Sequence, residues 1–531
     1  MIARALRWGL VLAGLGSWGA FLAVALRRLF YPLEIGNLDG VAFDHAVRIA
    51  HGRPIYVQPS LEFIPFAYMP LYPTLVAPLV RLFGPHLWEG RLVSILAAIA
   101  VAAILGVVAW RETRSGALAV AASGLFLMGE GYLHGVYDVI NNNTVFLCFV
   151  FAGLATLRFT RGNRGAIVAA LLLTAAFFTK QHAILFGFAA AAHLLLTDRR
   201  RLVPFLLGLA LGCGGGFLIL SLWLGPWFRF YVWEVPSHWS DVNRVRILDY
   251  FRLHALGAFS CLTVPAVVAL AIRPRPLREP VGLWWWTGLA AIGTGLMATL
   301  DPYEYLHVLM PTLAAFSLLG PLALERCSRP AAARTTVAPG DALATACVLL
   351  LLQFMVLTYS PFQRYWPRVE GAAALAAWED ELRHTPGPVA IPYHGYYGTL
   401  AGKGTSMHLL PLDDVLRAKG NSLLKRDPQY FEHLFATLRS GPNRPTLFMD
   451  APLESCGNLS RPLWASLATG YRLSGRVGPV SEFLRAPDGY RGSPTLIYEP
   501  VEPESAAASG SPASAAATSG SRGTTLRRPR P

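Results

Sequence analysis

Residues 31–94 read YPLEIGNLDGVAFDHAVRIAHGRPIYVQPSLEFIPFAYMPLYPTLVAPLVRLFGPHLWEGRLVS, and this stretch decides how the rest of the chain is interpreted. It lies between two long apolar segments, yet it carries several acids and three histidines, His45, His51 and His86. The Tyr- and Pro-dense run from Pro65 to Pro78 cannot form an ordinary spanning helix, because proline breaks the helical hydrogen-bond ladder. We therefore predict a structured loop beside a membrane and expect chemistry there.

The composition of the whole chain indicates a membrane protein. Of its 531 residues, 53% are hydrophobic and only 15% are charged, whereas about a quarter of the residues in a soluble protein are charged. Apolar runs of roughly 17–23 residues recur, which is the length that a helix needs to cross the hydrocarbon core. We predict eleven transmembrane spans, near residues 9–29, 88–110, 116–133, 144–159, 165–179, 182–197, 202–224, 254–272, 281–300, 305–324 and 341–359.

The distribution of arginine predicts the orientation of these spans. Arginine clusters fall on alternate connections, at 111–114, 158–164, 199–201, 273–278 and 326–334. Cytoplasmic loops carry such an excess of positive charge. We therefore expect a protein of the cell inner or plasma membrane whose N-terminus is cytoplasmic. Residues 31–87 and the C-terminal domain are then expected on the external side. The net charge of +14 is then mainly a topology signal and does not indicate binding of nucleic acid.

The ends of the chain and its cysteines exclude several other classes. We interpret the first apolar segment as an uncleaved span, because it is long for a signal peptide and Arg27 and Arg28 follow the candidate cleavage site directly. Six cysteines are scattered without a CxxC pair or the spacing of metal ligands. Neither a structural zinc site nor a disulfide framework is predicted.

Two short helices are predicted in the first loop. Asn37 is suited to cap a helix that begins near Leu38 and ends at residues 52–54. Residues 70–84 are too short and too rich in proline to cross the bilayer, which predicts a helix lying on the membrane surface. Later connections on the same side, at 134–143, 180–182, 226–253 and 301–307, bring further polar groups to that face.

The composition changes after the last predicted span. Strand-like runs at 389–393, 446–450 and 495–499 alternate with helical runs at 412–419, 429–438 and 463–469, which predicts a small external α/β domain over residues 360–500. Residues 501–531 are rich in Ala, Ser, Gly and Pro and are predicted to be disordered. The predicted fold is therefore an all-α polytopic membrane module over residues 1–359, followed by this domain and tail.

Several motifs of the first loop follow one another in an order known from a protein family. They are Asp39–Gly40, Asp44–Arg48, Gly52–Tyr56, Pro65–Pro73 and Gly90–Ser94. In this pattern the chain resembles the GT-C-fold glycosyltransferases, in the group of bacterial membrane enzymes related to protein O-mannosyltransferases and lipid A aminoarabinose transferase. The resemblance covers roughly residues 1–320, and it implies a GT-C-like fold with juxtamembrane helices in the first external loop.

The same resemblance implies a reaction. It is the transfer of a hexosyl or pentosyl group from a polyprenyl-phosphate-linked donor to an envelope lipid, glycan or protein acceptor, outside the cytoplasmic membrane. An acid in the first loop of such enzymes acts as catalytic base or orients the acceptor, and its position corresponds to Asp39. Met69–Pro70–Leu71 departs from the mannosyltransferase branch, which has a Lys in a Lys-Pro-Pro-like motif, so membership of that branch is not implied.

Asp39 and Asp44 are the candidate catalytic acids. An acceptor hydroxyl that attacks an anomeric carbon must lose its proton, although Asp39 could equally be an acid that stabilises the first turn of a helix. Asp44 lies about 140° around a continuous helix from Asp39. A surface ion pair with Arg48 is the simpler interpretation of Asp44.

Lys180, His182 and Arg91 are the candidates for binding the donor phosphate. A compact ammonium suits phosphate. The alternative for Lys180 is a helix-end lysine that reaches the membrane surface, and for Arg91 it is a positive charge at the lipid headgroups.

Asp138, Asp301 and Glu304 are candidates for a second acid, for acceptor binding or for a divalent metal. Each also fits ordinary loop or turn chemistry. No cofactor is firmly indicated, and a divalent cation is the one candidate.

Two other functions are compatible with many spans and a polar face. A transporter or flippase of a lipid-linked saccharide would place acids and broken helices deep in the membrane. Here the acids gather in the external loops, which favours the enzyme. A catalytically inactive scaffold for envelope assembly is the third alternative.

Overall fold

The computed structural model describes residues 1–36, 38–239, 243–272, 275–299, 306–334, 339–358, 365–484 and 493–501. Within these ranges, all eleven predicted spans fall on helices, some of them interrupted. These helices are Ile2–Leu29, Leu87–Thr113, Gly116–Tyr132, Asn143–Phe159, Gly162–Thr179, Ala183–Thr197, Arg199–Leu209 continued by Ala210–Gly215 and Gly216–Trp223, Tyr250–Ala258 followed by Ser260–Ile272, Leu283–Thr299, Met310–Arg334 and Pro339–Val356. Short helical segments between them are Pro226–Arg229, Phe230–Glu234, Val235–Ser237, Arg244–Asp249, Arg275–Arg278, Pro280–Gly282 and Leu306–Leu309.

Several of these helices can cross a bilayer. Within the described ranges, 6 helices are long and apolar enough, or 7 if the pair Arg244–Ala258 and Ser260–Ile272, bent by 94°, forms one span. Large apolar side chains such as Leu218 and Leu222 are exposed on the helix that contains them, as expected of a surface that faces lipid. The chain is a multi-pass membrane protein, whereas the number of eleven spans remains a prediction.

The first helix crosses Gly116–Tyr132 at very short range. A Cβ on Gly14 would lie 2.6 Å from the carbonyl oxygen of Val120, and a Cβ on Gly124 would lie 2.5 Å from the Cα of Gly14. The two glycines let the backbones touch, as small residues do where membrane helices pack most closely. This crossing brings Arg28, at the end of the first helix, to the loop after Tyr132, where its Nη2 donates to the carbonyl of Gly135 at 3.1 Å.

Both helices predicted in the first loop are confirmed. They are Asp39–Ala50 and Leu71–Phe83, while Asn37, the predicted cap, lies outside the described residues. Tyr72 ties the second helix to Leu87–Thr113, because its hydroxyl donates to the carbonyl of Gly90 at 3.0 Å. The position of this helix on the membrane surface remains a prediction.

The C-terminal region, residues 365–484 and 493–501, contains a sheet and helices. Its strands are β1 (Val389–Ala390), β2 (Thr446–Met449), β3 (Tyr471–Arg476) and β4 (Leu496–Pro500), in the order β1-β2-β4-β3. β1 pairs with β2 in parallel, and the other two pairings are antiparallel. The helices are Glu370–His384, Tyr396–Leu400, Leu409–Arg417, Ser422–Arg426, Tyr430–Ser440 and Arg461–Ala465, with single turns at Leu453–Ser455, Ser466–Thr469 and Pro479–Glu482.

The C-terminal region packs directly on the first loop. Leu33 and Phe43 of the loop share a buried apolar core with Trp378 and Phe448 of the C-terminal region. Hydrogen bonds connect the two parts at several points, since Met407 N donates to Leu61 O at 2.7 Å, Tyr430 OH to Pro59 O at 2.6 Å and Tyr396 OH to Pro85 O at 2.9 Å. The loop and the C-terminal region therefore lie on the same side of the helices.

Candidate active site

A cavity of about 570 Å³ lies between the first loop and the segments that follow four later helices. Its size is typical of a site for a small molecule. Its wall is mostly apolar and includes Tyr68, Phe177, Trp233 and Trp239. The ionisable side chains among the described lining residues are Asp39, Tyr68, His134, Lys180, His182 and His307. All five connections predicted to bring polar groups to one face thus contribute to this cavity.

Asp39 is the first residue of the helix Asp39–Ala50 and borders the cavity. Its side chain is fully buried. The amide of Ile35 donates to Oδ2 at 3.0 Å, and the amide of Ile140 donates to Oδ1 at 2.9 Å. Two stretches of main chain that are far apart in sequence therefore hold one carboxylate in a fixed orientation, which suits an ionised acid.

Arg91, a candidate for phosphate binding, serves this carboxylate instead. Its Nη2 lies 3.3 Å from Asp39 Oδ2 and donates to the carbonyl of Leu33 at 2.6 Å, while Nη1 donates to the carbonyls of Arg28, at 3.0 Å, and Tyr31. The guanidinium is completely buried, and Arg91 is not among the described residues that line the cavity. Its geometry gives no support to the predicted contact with phosphate.

Lys180 and His182 lie where a donor phosphate could reach them. Lys180 follows the helix Gly162–Thr179 directly, and both side chains line the cavity. The second loop fixes this turn, because Lys180 Nζ donates to Asn143 Oδ1 at 2.9 Å and Asn142 Nδ2 donates to the carbonyl of Thr179 at 3.1 Å. Lys180 is the one lysine or arginine among the lining residues that the structure describes.

Asp138 is buried in the second loop, although residues on both sides of it line the cavity. Its Oδ1 lies 2.9 Å from Arg28 Nη1, which is also 3.9 Å from Glu130 Oε1. Burial raises the pKa of the Asp138 carboxyl, and the positive charges of Arg28 and Arg91 oppose this shift. Asp138 therefore belongs to a buried ion cluster that joins the second loop to the end of the first helix.

No metal site forms within the described ranges. No three His, Cys, Asp or Glu side chains there are arranged to hold a metal ion. Asp301 and Glu304, the other candidates for a second acid or metal ligand, lie outside those ranges.

Asp44, the second catalytic candidate, does not lie on the surface as predicted. Its side chain is buried, and its Oδ2 would lie 3.8 Å from a Cβ on Gly395 in the C-terminal region. Burial, followed by the charge of Glu34, raises the pKa of Asp44 to about 8. Arg48 donates from Nε to the carbonyl of Pro54 at 3.0 Å. The expected surface ion pair is therefore wrong, because Asp44 is enclosed by the C-terminal region.

His45 is neutral in this environment. Its Nδ1 lies 2.8 Å from the carbonyl of Val41, and its Nε2 accepts from the amide of Phe66 at 3.1 Å. Burial lowers the pKa of His45 to about 4. The imidazole thus joins the two halves of the first loop.

A buried charge triad next to Asp39 was not predicted from the sequence. His394 Nδ1 pairs with Glu34, and its Nε2 lies 3.5 Å from Asp450 Oδ2. Burial lowers the pKa of His394, but Glu34 and Asp450 outweigh this effect and raise the pKa to about 10. His394 and Asp450 follow β1 and β2, whose parallel pairing brings them together. No local feature of the sequence indicates that Glu34 joins them.

Comparison with known proteins supports a fold assignment. The family model described as dolichyl-phosphate-mannose-protein mannosyltransferase matches residues 66–224. A search of the curated proteins by sequence returned no match.

Solved structures resemble nearly the whole chain. ArnT from Cupriavidus metallidurans bound to undecaprenyl phosphate aligns with a TM-score of 0.57 and 14% identity, over 91% of this chain and 98% of that one. The same protein in the apo state aligns with a TM-score of 0.56 and 16% identity, over 92% and 98%. The oligosaccharyltransferase AglB from Archaeoglobus fulgidus was solved in complex with an inhibitory peptide and a dolichol-phosphate. It aligns with a TM-score of 0.48 and 12% identity, over 86% of this chain and 72% of that one. The likeness to ArnT shows a shared fold.

Proposed function

We propose that this chain, which has the GT-C fold predicted from its first loop, is an integral-membrane glycosyltransferase. It transfers a hexosyl or pentosyl group from a polyprenyl-phosphate-linked donor to an envelope lipid, glycan or protein on the outer face of the membrane. The observation that carries the proposal is the cavity that both Asp39 and Lys180 line. The likeness to ArnT, solved with undecaprenyl phosphate, supports the class of donor.

Asp39 acts as the general base. The acceptor hydroxyl attacks the anomeric carbon, a new C–O bond forms, and the bond between that carbon and the phosphate oxygen breaks. Asp39 takes the proton of the hydroxyl as this happens. Its Oδ2 accepts from Ile35 and Arg91, whereas Oδ1 accepts one hydrogen bond from the described residues. A carboxylate oxygen can accept a second hydrogen bond, so we assign the uptake of the proton to Oδ1. Attack opposite the leaving phosphate inverts the anomeric centre.

Lys180 and His182 bind the phosphate before and after transfer. The ammonium interacts with the negative charge that the phosphate gains when it leaves, and such stabilisation of developing charge is a large term in catalysis. The mostly apolar cavity wall strengthens this interaction, because it keeps the effective dielectric constant low. The aromatic residues Phe177, Trp233 and Trp239 form part of this wall.

The test is a transfer assay in proteoliposomes that contain the full chain. The lipids include a series of labelled polyprenyl-phosphate sugars, and membrane lipids, glycans and proteins are supplied as acceptors. We expect label to move from at least one donor to an acceptor, with release of polyprenyl phosphate. A chain that consumes no donor but carries lipid-linked saccharide across the bilayer is a transporter, and that result would overturn the proposal.

A further inference from the structure

The triad of Glu34, His394 and Asp450 lies outside the cavity, and the mechanism above does not use it. All three side chains are about 95% buried. Buried charges of this kind are costly unless each has a partner. Protonated His394 supplies one partner to two carboxylates, one from the first loop and one from the C-terminal region, so the triad joins these two parts of the chain.

Glu34 is connected to Asp39 through the main chain. The amide of Glu34 donates to the hydroxyl of Tyr397 at 2.8 Å, and its side chain pairs with His394. The next amide, that of Ile35, donates to Asp39. Arg91 donates to the carbonyl of Leu33, the residue that precedes Glu34. The C-terminal region thus binds Glu34, which belongs to the turn that orients the proposed base.

Gly40 provides a second connection. A Cβ on this residue would lie 1.9 Å from Glu34 Oε1 and 2.9 Å from the Cβ of Tyr396. Only glycine leaves room for these contacts. The Glu34 carboxylate therefore lies against the backbone of the residue that follows Asp39, and a displacement of Glu34 would disturb the start of the helix.

We propose that His394 is a positioning residue for the transfer reaction, which it serves by holding Glu34 and, through Glu34, the turn that orients Asp39. This inference rests on the proposed function for its kinetic consequence, but the link itself is a property of the fold. It also gives the C-terminal region a role in the reaction.

The experiment compares His394→Gln with His433→Gln in the full chain in detergent micelles. The control histidine is exposed in the same region and lies 3.6 Å from Asp427. Hydrogen–deuterium exchange should become about tenfold faster at residues 33–39 in His394→Gln, with no change in His433→Gln. Turnover should fall by roughly tenfold to a hundredfold, while the KM for the donor changes little, because the phosphate site at Lys180 is untouched.

Glu34→Gln tests the same link from the other side, and it also serves if His394→Gln fails to fold. The losses of turnover in Glu34→Gln and His394→Gln should not add in the double variant, because both remove one interaction. Unchanged exchange at residues 33–39 in both single variants would overturn the inference. If the wild type transfers no sugar, the proposed function fails, and the exchange experiment still decides whether the link exists.

Discussion

Arg91 Nη2 lies 3.3 Å from Asp39 Oδ2, and neither side chain is exposed. The pair joins the first residue of the helix Asp39–Ala50 to the second turn of the helix Leu87–Thr113. Because Arg91 also binds main-chain carbonyls between residues 28 and 33, one guanidinium fixes both the carboxylate and the turn that leads to it. Asp39 is therefore a rigid part of the cavity wall.

The first prediction concerns this arginine. Arg91→Met should lower the free energy of unfolding by roughly 3–5 kcal/mol, because it leaves Asp39 buried without its cation. Arg91→Lys should recover only part of the loss, since an ammonium cannot reproduce the fork of donors. Thermal unfolding in detergent measures both, with Arg81→Met, which changes an exposed arginine of the first loop, as control. Equal stability of Arg91→Met and Arg81→Met would refute the prediction.

Lys180 carries the prediction for donor binding. Lys180→Gln should weaken binding of undecaprenyl phosphate by roughly tenfold to a hundredfold, the usual cost of losing a charged hydrogen-bond donor. The difference from wild type should vanish with a polyprenol that lacks phosphate. Lys425→Gln, at an exposed position of the C-terminal region, should bind both lipids normally. If Lys180→Gln weakens the binding of undecaprenyl phosphate and of the polyprenol equally, Lys180 has a structural role.

At Gly40 we predict an effect of alanine on stability that is opposite to the effect expected from helix propensity. Alanine usually stabilises a helix by about 0.5–1 kcal/mol relative to glycine. At Gly40, however, the new Cβ would collide with Oε1 of the Glu34 carboxylate, whose other oxygen, Oε2, pairs with His394. Gly40→Ala should therefore lower the unfolding temperature and the rate of transfer. Gly16→Ala, where a Cβ meets open space, should keep or raise the unfolding temperature. If both variants behave alike, Glu34 is not fixed as described.

The raised pKa of Asp44 predicts how the free energy of unfolding depends on pH. Its pKa of about 8 in the folded state exceeds the ordinary value of 3.8, so between these values the unfolded chain loses the proton while the folded chain keeps it. As the pH rises through this range, Asp44 therefore lowers the free energy of unfolding by about 1.4 kcal/mol for each pH unit. Below about pH 4 the cost is absent. Asp44→Asn should remove this slope in thermal unfolding, and an unchanged slope would contradict the burial of an acid there.

Local features of the sequence were sufficient to predict much of the fold. The apolar runs predicted the positions of the long helices, and the turn signals around residues 52–54 and 70–84 predicted the two helices of the first loop. β3 was not predicted, because only Tyr471 of its six residues is buried and no alternation of apolar residues marks it. Its position depends on pairing with β4, which is a tertiary property.

The site was predicted less completely. The resemblance of the first loop to a known family implied Asp39, and residue type and position indicated Lys180; both residues line the cavity. The partners of Asp39 could not be inferred, because Ile140 contributes a main-chain amide, which any residue type carries. The triad joins positions 34, 394 and 450, and a single sequence holds no signal for such distant pairs. The sequence predicts Asp44 at the surface, because no local pattern places the C-terminal region that covers this residue.

The most direct test of the account is the turnover of Asp39→Asn in the proteoliposome assay. Asparagine keeps the size of the side chain but cannot take a proton from the acceptor. We expect turnover to fall by about a hundredfold or more, with undecaprenyl phosphate still bound, whereas Glu62→Gln, an exposed acid of the same loop, should retain full turnover. If folded Asp39→Asn transfers sugar at the wild-type rate, Asp39 is not the base and the proposed mechanism is contradicted.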